Sequence, residues 1–296
     1  MNTRTLQQVM PSVATADGAG VKLRRSIGSR QGFYHDPFLM LDEFYSDNPD
    51  DYIGGFPPHP HRGFETVTYM LDGRMQHKDH LGNTGDLGPG SVQWMTAASG
   101  IIHSEMPQQS EGRMRGFQLW INLPAKEKMK PASYRDIPAD RIPTVALANG
   151  GLVRVIAGSH AGDTGHVDGP INPAAAKIST DPLYFDLRLP AGAAFEHALT
   201  PGHNAFVYVY EGHAEVDGHE VPNRAAGLLS DGDWFVVTAG EEGAQLLLLA
   251  AKPLGEPVVQ YGPFVMNTHE EIEQAMADYR DGRLGSTGER SAMAGG

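Results

Sequence analysis

Glycine and proline interrupt this chain so often that long helices are excluded over most of its length. The 296 residues include 36 glycines and 21 prolines. Glycine in an element interior loses the most backbone freedom on folding, and proline removes an N–H donor and blocks the preceding helical turn. Between these breaks lie short runs rich in β-branched and aromatic residues. Phe64–Leu71 reads as a strand, with Asp72-Gly73 as the turn after it. Ser91–Thr96 reads as a second strand. Arg113–Leu123 is a third, in which Phe117, Leu119, Ile121 and Leu123 share one face. Arg113 and Arg115 continue that parity towards an open end, and Gln118 and Asn122 take the other face.

The stretch from Pro124 to Gly151 carries charges and prolines and reads as a connection. Strand-like runs then resume at Leu183–Leu189, Ala205–Tyr210, Gly212–Asp217, Trp234–Thr238 and Ala244–Ala251, each followed by a Gly, Pro or Asp signal. One helix stands out near the end. Thr268 is its N-cap, Glu271 completes a capping box, and Ile272, Ala275, Met276 and Tyr279 form its apolar stripe before Asp281-Gly282. Residues 286–296 are small and polar and read as a flexible tail. The two halves echo each other. Tyr69–Gly73 corresponds to Val209–Gly212, and Gly88–Val92 to Ser230–Trp234. Many short strands at turn-punctuated spacing predict closed barrels or sandwiches, and the echo predicts two of them.

Cysteine is absent, which excludes disulfides, iron–sulfur clusters, zinc thiolates and a cysteine nucleophile. The formal net charge of −13 argues against direct binding to nucleic acid, which needs a basic surface; only Lys22, Arg24 and Arg25 suggest a local patch. No stretch approaches the roughly 20 apolar residues needed to cross a bilayer. The first eighteen residues lack a basic region followed by an apolar run, so no secretory signal is read and a cytoplasmic location is expected.

The chemistry concentrates in His59-Pro-His61-Arg-Gly-Phe-Glu65 and Gly100-Ile-Ile-His103-Ser-Glu105. Residues two apart on an extended chain point the same way, so each segment presents a pair of ligand-type side chains to one side. Two such pairs on two strands of one barrel can converge on a point. Three imidazoles and a carboxylate without thiolate suit iron, manganese, nickel, copper or zinc, and fit a catalytic site better than a structural one. Glu65 shares parity with His59 and His61 if no bulge intervenes. It stands as a ligand, as a group orienting a ligand, or as a surface acid.

These segments resemble the pirin family of the cupin superfamily. Gly54-Gly-Phe-Pro-Pro-His-Pro-His-Arg-Gly-Phe-Glu-Thr-Val-Thr-Tyr-Met-Leu71 matches that family's motif. So do Asp36–Phe44, Val92–Thr96, Gly100–Pro107 and Gly262–Thr268 with the helix that follows. The likeness runs from about Gly20 to about Gly285. Ala98 stands where the general cupin pattern often has proline. The resemblance implies an all-β fold of two tandem cupin (jelly-roll) barrels with a short C-terminal helix. Residues 1–135 would form a metal-binding N-terminal barrel and 145–285 a metal-free C-terminal one. It implies one divalent metal ion, iron(II) foremost with manganese, nickel, cobalt, copper or zinc as alternatives, held by His59, His61, His103 and Glu105. The general cupin pattern would use Glu65 instead of Glu105.

The same resemblance implies two classes of role. One is a quercetin 2,3-dioxygenase that cleaves a flavonol with O₂ and releases carbon monoxide, with Glu105 as general base. The other is an iron-dependent redox-sensing regulator that binds a transcription factor or metabolic enzyme. Other candidates read as structural. His77 and His80 fall in a polar hairpin, Met95 and Phe117 read as core, and the second-barrel segments Ala198–Asn204 and Thr238–Glu242 lack a His-x-His pair. His197 and His203 are read as dispensable.

Overall fold

Turn residues decide where the chain leaves one sheet and enters the next. The computed structural model describes residues 1–30, 32–162 and 165–285, and the expected tail at 286–296 lies outside them. Within the described residues the protein is all-β apart from short 3-10 turns and one C-terminal helix, His269–Arg280. No helix among them is long and apolar enough to cross a membrane.

The chain divides into two compact units. One comprises Thr15–Leu23, Leu41–Ala139 and the chain from Leu254 onward; the other comprises Met1–Ala14, Arg24–Met40 and Asp140–Pro253. The units interleave along the chain, whereas the sequence reading drew contiguous spans of 1–135 and 145–285. The cause lies at the two ends. Leu6–Pro11 pairs antiparallel with Ala225–Leu229, and the buried Arg4 donates to the carbonyls of Thr200, His203, Ser230 and Gly232. At the other end, Phe264, Met266, Ile272, Ala275 and Leu284 form a cluster against Ile102.

In the unit that carries the paired histidines, a seven-stranded sheet has Val92–Thr96, Phe64–Asp72 and Met114–Asn122 as successive neighbours. A four-stranded sheet runs in the order Phe56–His61, Ile101–Pro107, Met75–Asp79, Thr84–Leu87. The Asp72-Gly73 turn passes the chain from the larger sheet to the smaller one instead of closing a hairpin. Gly73 adopts φ +86°, and a Cβ there would stand 2.6 Å from Gln109 Oε1.

From Phe117 onward the predicted alternation holds. Phe117, Leu119 and Ile121 are at most 1% exposed and oppose Tyr69, Val67 and Glu65. Before that point the register shifts between Arg115 and Gly116, and Arg115 is buried. Its guanidinium lies 3.0 Å from the buried Glu43, while Arg113 stays outside at 2.9 Å from Asp47. The expected basic patch is engaged locally. Lys22 Nζ sits 2.6 Å from Asp51, and Arg24 donates to Ser12. The C-terminal helix has the expected capping box at Thr268 and Glu271, yet of its apolar stripe only Ile272 and Ala275 are buried. Met276 and Tyr279 remain exposed.

The supposed connection after Pro124 supplies the strand Ser133–Ile137 and one buried cation that sequence reasoning missed. Lys128 is 1% exposed, and its Nζ donates to Gly63 O, Asn122 Oδ1 and Val265 O at 2.7, 2.5 and 2.9 Å. Burial lowers this ammonium to about 8. Three acceptors for three N–H groups still match the charged form. Lys128 thereby ties Phe264–Met266 to the turn that follows His61.

The other unit centres on Trp234–Ala251, which merges two expected strands into one and pairs with Leu183–Leu189, Ala194–Ala198 and Asn204–Val216. Leu246 and Leu248 join Phe185, Val207 and Phe235 in its core cluster. Leu247 and Leu249 are equally buried, so this run is covered on both faces and shows no alternation. His160 and His197, 3% and 6% exposed, lie with ring centroids 5.4 Å apart beside Phe185 and Phe195. Burial, reinforced by His160, holds His197 down to about 4.

Two outcomes follow. Lys128→Met strands three buried acceptors, and hydrogen bonds to a charged group are worth about 1.5–3 kcal/mol each. It should cost more than about 3 kcal/mol and speed proteolytic release of the segment after Leu254; an unchanged thermal midpoint would refute this. His197 has a folded value below its unfolded 6.5, so the unfolded state binds more protons between pH 6.5 and about 4. Stability from this residue is complete above 6.5 and is lost as pH falls through that window, by roughly 3 kcal/mol. His197→Leu should flatten that acid slope in thermal unfolding; an identical slope would assign it elsewhere.

Candidate metal centre

The histidine-bearing strand is extended because its sequence permits little else. In Phe56–His61 the residues at 57, 58 and 60 are proline, which hold their predecessors in the β region. They cannot donate to a ladder on both sides, and the strand occupies the edge of its sheet, paired only with Ile101–Pro107. Cross-strand register does the rest. His103 lies opposite His59, and Ile101 opposite His61, so all three imidazoles project from one face.

The three rings converge. Centroid separations are 4.7 Å for His59–His61, 4.4 Å for His59–His103 and 4.9 Å for His61–His103. One ligand nitrogen from each lies within 4.8 Å of the others. His61 and His103 are each 2% exposed, and His59 is the more open of the three. Burial first, then the neighbouring imidazoles, hold His61 and His103 well below the usual histidine range. Both are therefore neutral and keep a lone pair.

Hydrogen bonds show which nitrogens are free. The His59 Nδ1 group donates to Pro57 O at 2.8 Å, leaving Nε2 as the available donor atom for a metal. His103 Nδ1 contacts His77 Nδ1 at 3.1 Å, and its Nε2 is buried without a partner. Both ring nitrogens of His61 are likewise buried and unpartnered. Orphaned buried nitrogens cost about 1–3 kcal/mol each, and a divalent cation would satisfy them together. The side chains present fit a metal ion.

Glu105 is 4% exposed and accepts from Thr68 Oγ1 at 3.0 Å. A register shift separates it from His103 on the side of Phe56–His61, but it shares the histidine face through its pairing with His77 on the other side. Glu65 is placed elsewhere. It opposes Ile121 and Thr96, accepts from Thr96 Oγ1 at 2.6 Å, and is pushed up by burial. With 4% exposure it is no surface acid, and it lies on the sheet face opposite to Thr66 and Thr68.

The wall beside the imidazoles comes from that second face. Phe64 and Trp120 lie 5.2 and 5.3 Å from the His61 ring. Met95 pairs with Thr66 and belongs to the same face, while Phe117 packs on the other side against Tyr69. Arg62, next to His61, is 3% exposed and donates to Ser99 O and to Asp278 of the C-terminal helix at 2.7 and 2.8 Å. The helix is thus pinned to the backbone that carries the histidines.

His77 does not lie in a polar loop. It is fully buried on Met75–Asp79, opposite Glu105 and against His103. The signal was available in the alternation of Met75, His77 and Asp79, which share parity. His80 is exposed and accepts from the Ile102 N–H at 3.1 Å, a turn role. In the other unit the buried pair His160–His197 was also missed, because its members lie 37 positions apart in sequence with no local motif.

Comparison with known proteins places the chain. The Pirin family model matches residues 20–121, and the model of the Pirin C-terminal cupin domain matches 184–285. A Pseudomonas aeruginosa protein provisionally named as a quercetin 2,3-dioxygenase is 56% identical over 277 residues, covering 91% of this chain and 94% of its own. Human pirin is 41% identical over 277 residues, covering 91% and 90%. A crystal structure of quercetin 2,3-dioxygenase from Acinetobacter baumannii superposes with TM-score 0.85 at 33% identity, covering 96% of this chain and 99% of that one. The expected fold of two tandem cupin domains is thereby met, and the chain belongs to the pirin family.

Proposed function

We propose that this protein is a metal-dependent dioxygenase of the pirin type that opens quercetin or a related flavonol with O₂ and releases carbon monoxide. The observation that carries this reading is the convergence of the His59, His61 and His103 imidazoles, the last two buried with unpartnered nitrogens. Relatives named as quercetin 2,3-dioxygenases support the substrate class. The ligand set we assign is His59, His61, His103 and Glu105. Nitrogen and oxygen donors without sulfur favour iron(II) and admit manganese, nickel, cobalt, copper or zinc. Bound there, the ion supplies Lewis acidity and a template for the flavonol 3-hydroxyl oxygen.

The protein's own groups do the remaining work. Glu105 accepts the 3-hydroxyl proton, and Thr68 steadies its Oε1 by donating at 3.0 Å. Phe64 and Trp120 provide flat apolar walls for an aromatic substrate beside His61. A flavonol and O₂ are the partners of this reading, with action in the cytoplasm and no nucleic acid bound. The alternative is the other role implied by the family resemblance, a redox-sensing regulator with a protein partner.

His61→Ala should remove most bound metal while circular dichroism stays that of the wild type, since the β cores described above contain no metal ligand. An unfolded variant would make the centre structural instead. The enzyme reading is tested by O₂ uptake and carbon monoxide release with quercetin. Glu105→Gln should slow turnover per bound metal by about 10²–10⁴-fold, because the amide accepts no proton at neutral pH. Fully metallated protein inert with iron, manganese, nickel, cobalt and copper would overturn the dioxygenase. A partner whose binding changed on iron oxidation would then establish the regulator.

A further inference from the structure

His77 has no part in the ligand set, yet it touches that set from the neighbouring strand. It is fully buried, directly opposite Glu105 on the neighbouring strand, with its ring 4.8 Å from that of His103. Its Nδ1 lies 3.1 Å from His103 Nδ1, and its Nε2 has no partner. Tyr134 closes the other side of the ring at 5.4 Å.

Two neutral imidazoles that meet nitrogen to nitrogen share one proton, and only one arrangement suits a metal ligand. If His77 donated from Nδ1, His103 would have to accept at Nδ1 and carry its own proton on Nε2. That nitrogen would then have no lone pair. If His103 donates from Nδ1, its Nε2 is free to bind and His77 must carry its proton on Nε2. We infer that His77 is a positioning residue that holds His103 in its metal-binding tautomer by accepting its Nδ1 proton.

This inference rests on the metal-centre reading above and deepens it. Ligand histidines commonly donate their second N–H to a carboxylate or a carbonyl, and loss of that partner typically costs about 10–100-fold in metal affinity. A neutral imidazole is a weaker acceptor than a carboxylate, so the same orientation is achieved with less electron density pushed onto the metal. The geometry also explains why a histidine, with one acceptor nitrogen at the δ position, occupies a strand site whose neighbours Gln76 and Lys78 are more exposed.

The test uses the full chain loaded with zinc. Long-range ¹H–¹⁵N correlation spectra of the histidine rings should show protons on His103 Nδ1 and His77 Nε2. A proton on His77 Nδ1 in the zinc-loaded protein overturns the inference. His77→Leu removes the acceptor and should weaken zinc binding by about 10–100-fold in chelator competition. His77→Asn places an amide oxygen where Nδ1 stood and should restore affinity to within a few-fold of wild type. A leucine variant that matches the wild type, or an asparagine variant as weak as leucine, overturns the proposal. Should the leucine variant not fold, the wild-type tautomer spectrum and the asparagine variant decide alone. Wild-type protein that takes up no zinc overturns the metal centre and this inference together, a result distinct from intact binding with the wrong tautomer.

Discussion

The pairing of Phe56–His61 with Ile101–Pro107 is the constraint on which the site depends. Neither His-x-His nor His-x-Glu makes a centre by itself. Register brings His103 opposite His59, and a slip of one residue would turn one pair to the far face. The prolines that stiffen the first strand also leave it at a sheet edge, where it has a single partner. The site is therefore built on one ladder, and that ladder is supported from behind. Arg62, the residue after His61, donates to Asp278 of the helix, and Lys128 joins Gly63 to Val265. Two buried cations thus hold the turn after His61.

Burial sets the chemistry of this arrangement. Imidazoles removed from water and placed beside one another resist protonation, so lone pairs are present before any ion arrives. The same burial leaves nitrogens without partners, a cost that the fold bears unless a ligand meets it. In the other unit, burial of His160 and His197 among phenylalanines gives two imidazoles, one of them held at about 4, in an aromatic core. Equal residue types thus take unequal roles according to how many converge.

Much of the fold was legible in the residues. Glycine and proline spacing separated the strands, and Phe117 to Leu123 showed its buried face by simple alternation. Thr268 and Glu271 announced the helix and its start. Departures came where local rules were overridden by pairing partners. Asp72-Gly73 looks like a hairpin turn and instead joins two sheets. Arg113 and Arg115 share the parity of Phe117, yet only Arg115 is buried, against Glu43, while Arg113 stays exposed beside Asp47. Lys128, in a stretch rich in charge, is buried because three acceptors from three separate segments meet its ammonium.

Sequence alone determined the all-β character, the His-x-His and His-x-Glu pairs and the side to which each pair points, because backbone period and turn chemistry are local properties. Tertiary structure decided which strands lie together. It put His103 on His59, drew His77 from an apparent loop to a place behind His103, and set Glu65 on the opposite face from Thr68, the residue that reaches Glu105. It also assigned the first fourteen residues to the later unit and the C-terminal helix to the earlier one. These are consequences of long-range hydrogen-bond register, which couples residues far apart in sequence and leaves no trace in the period of either strand.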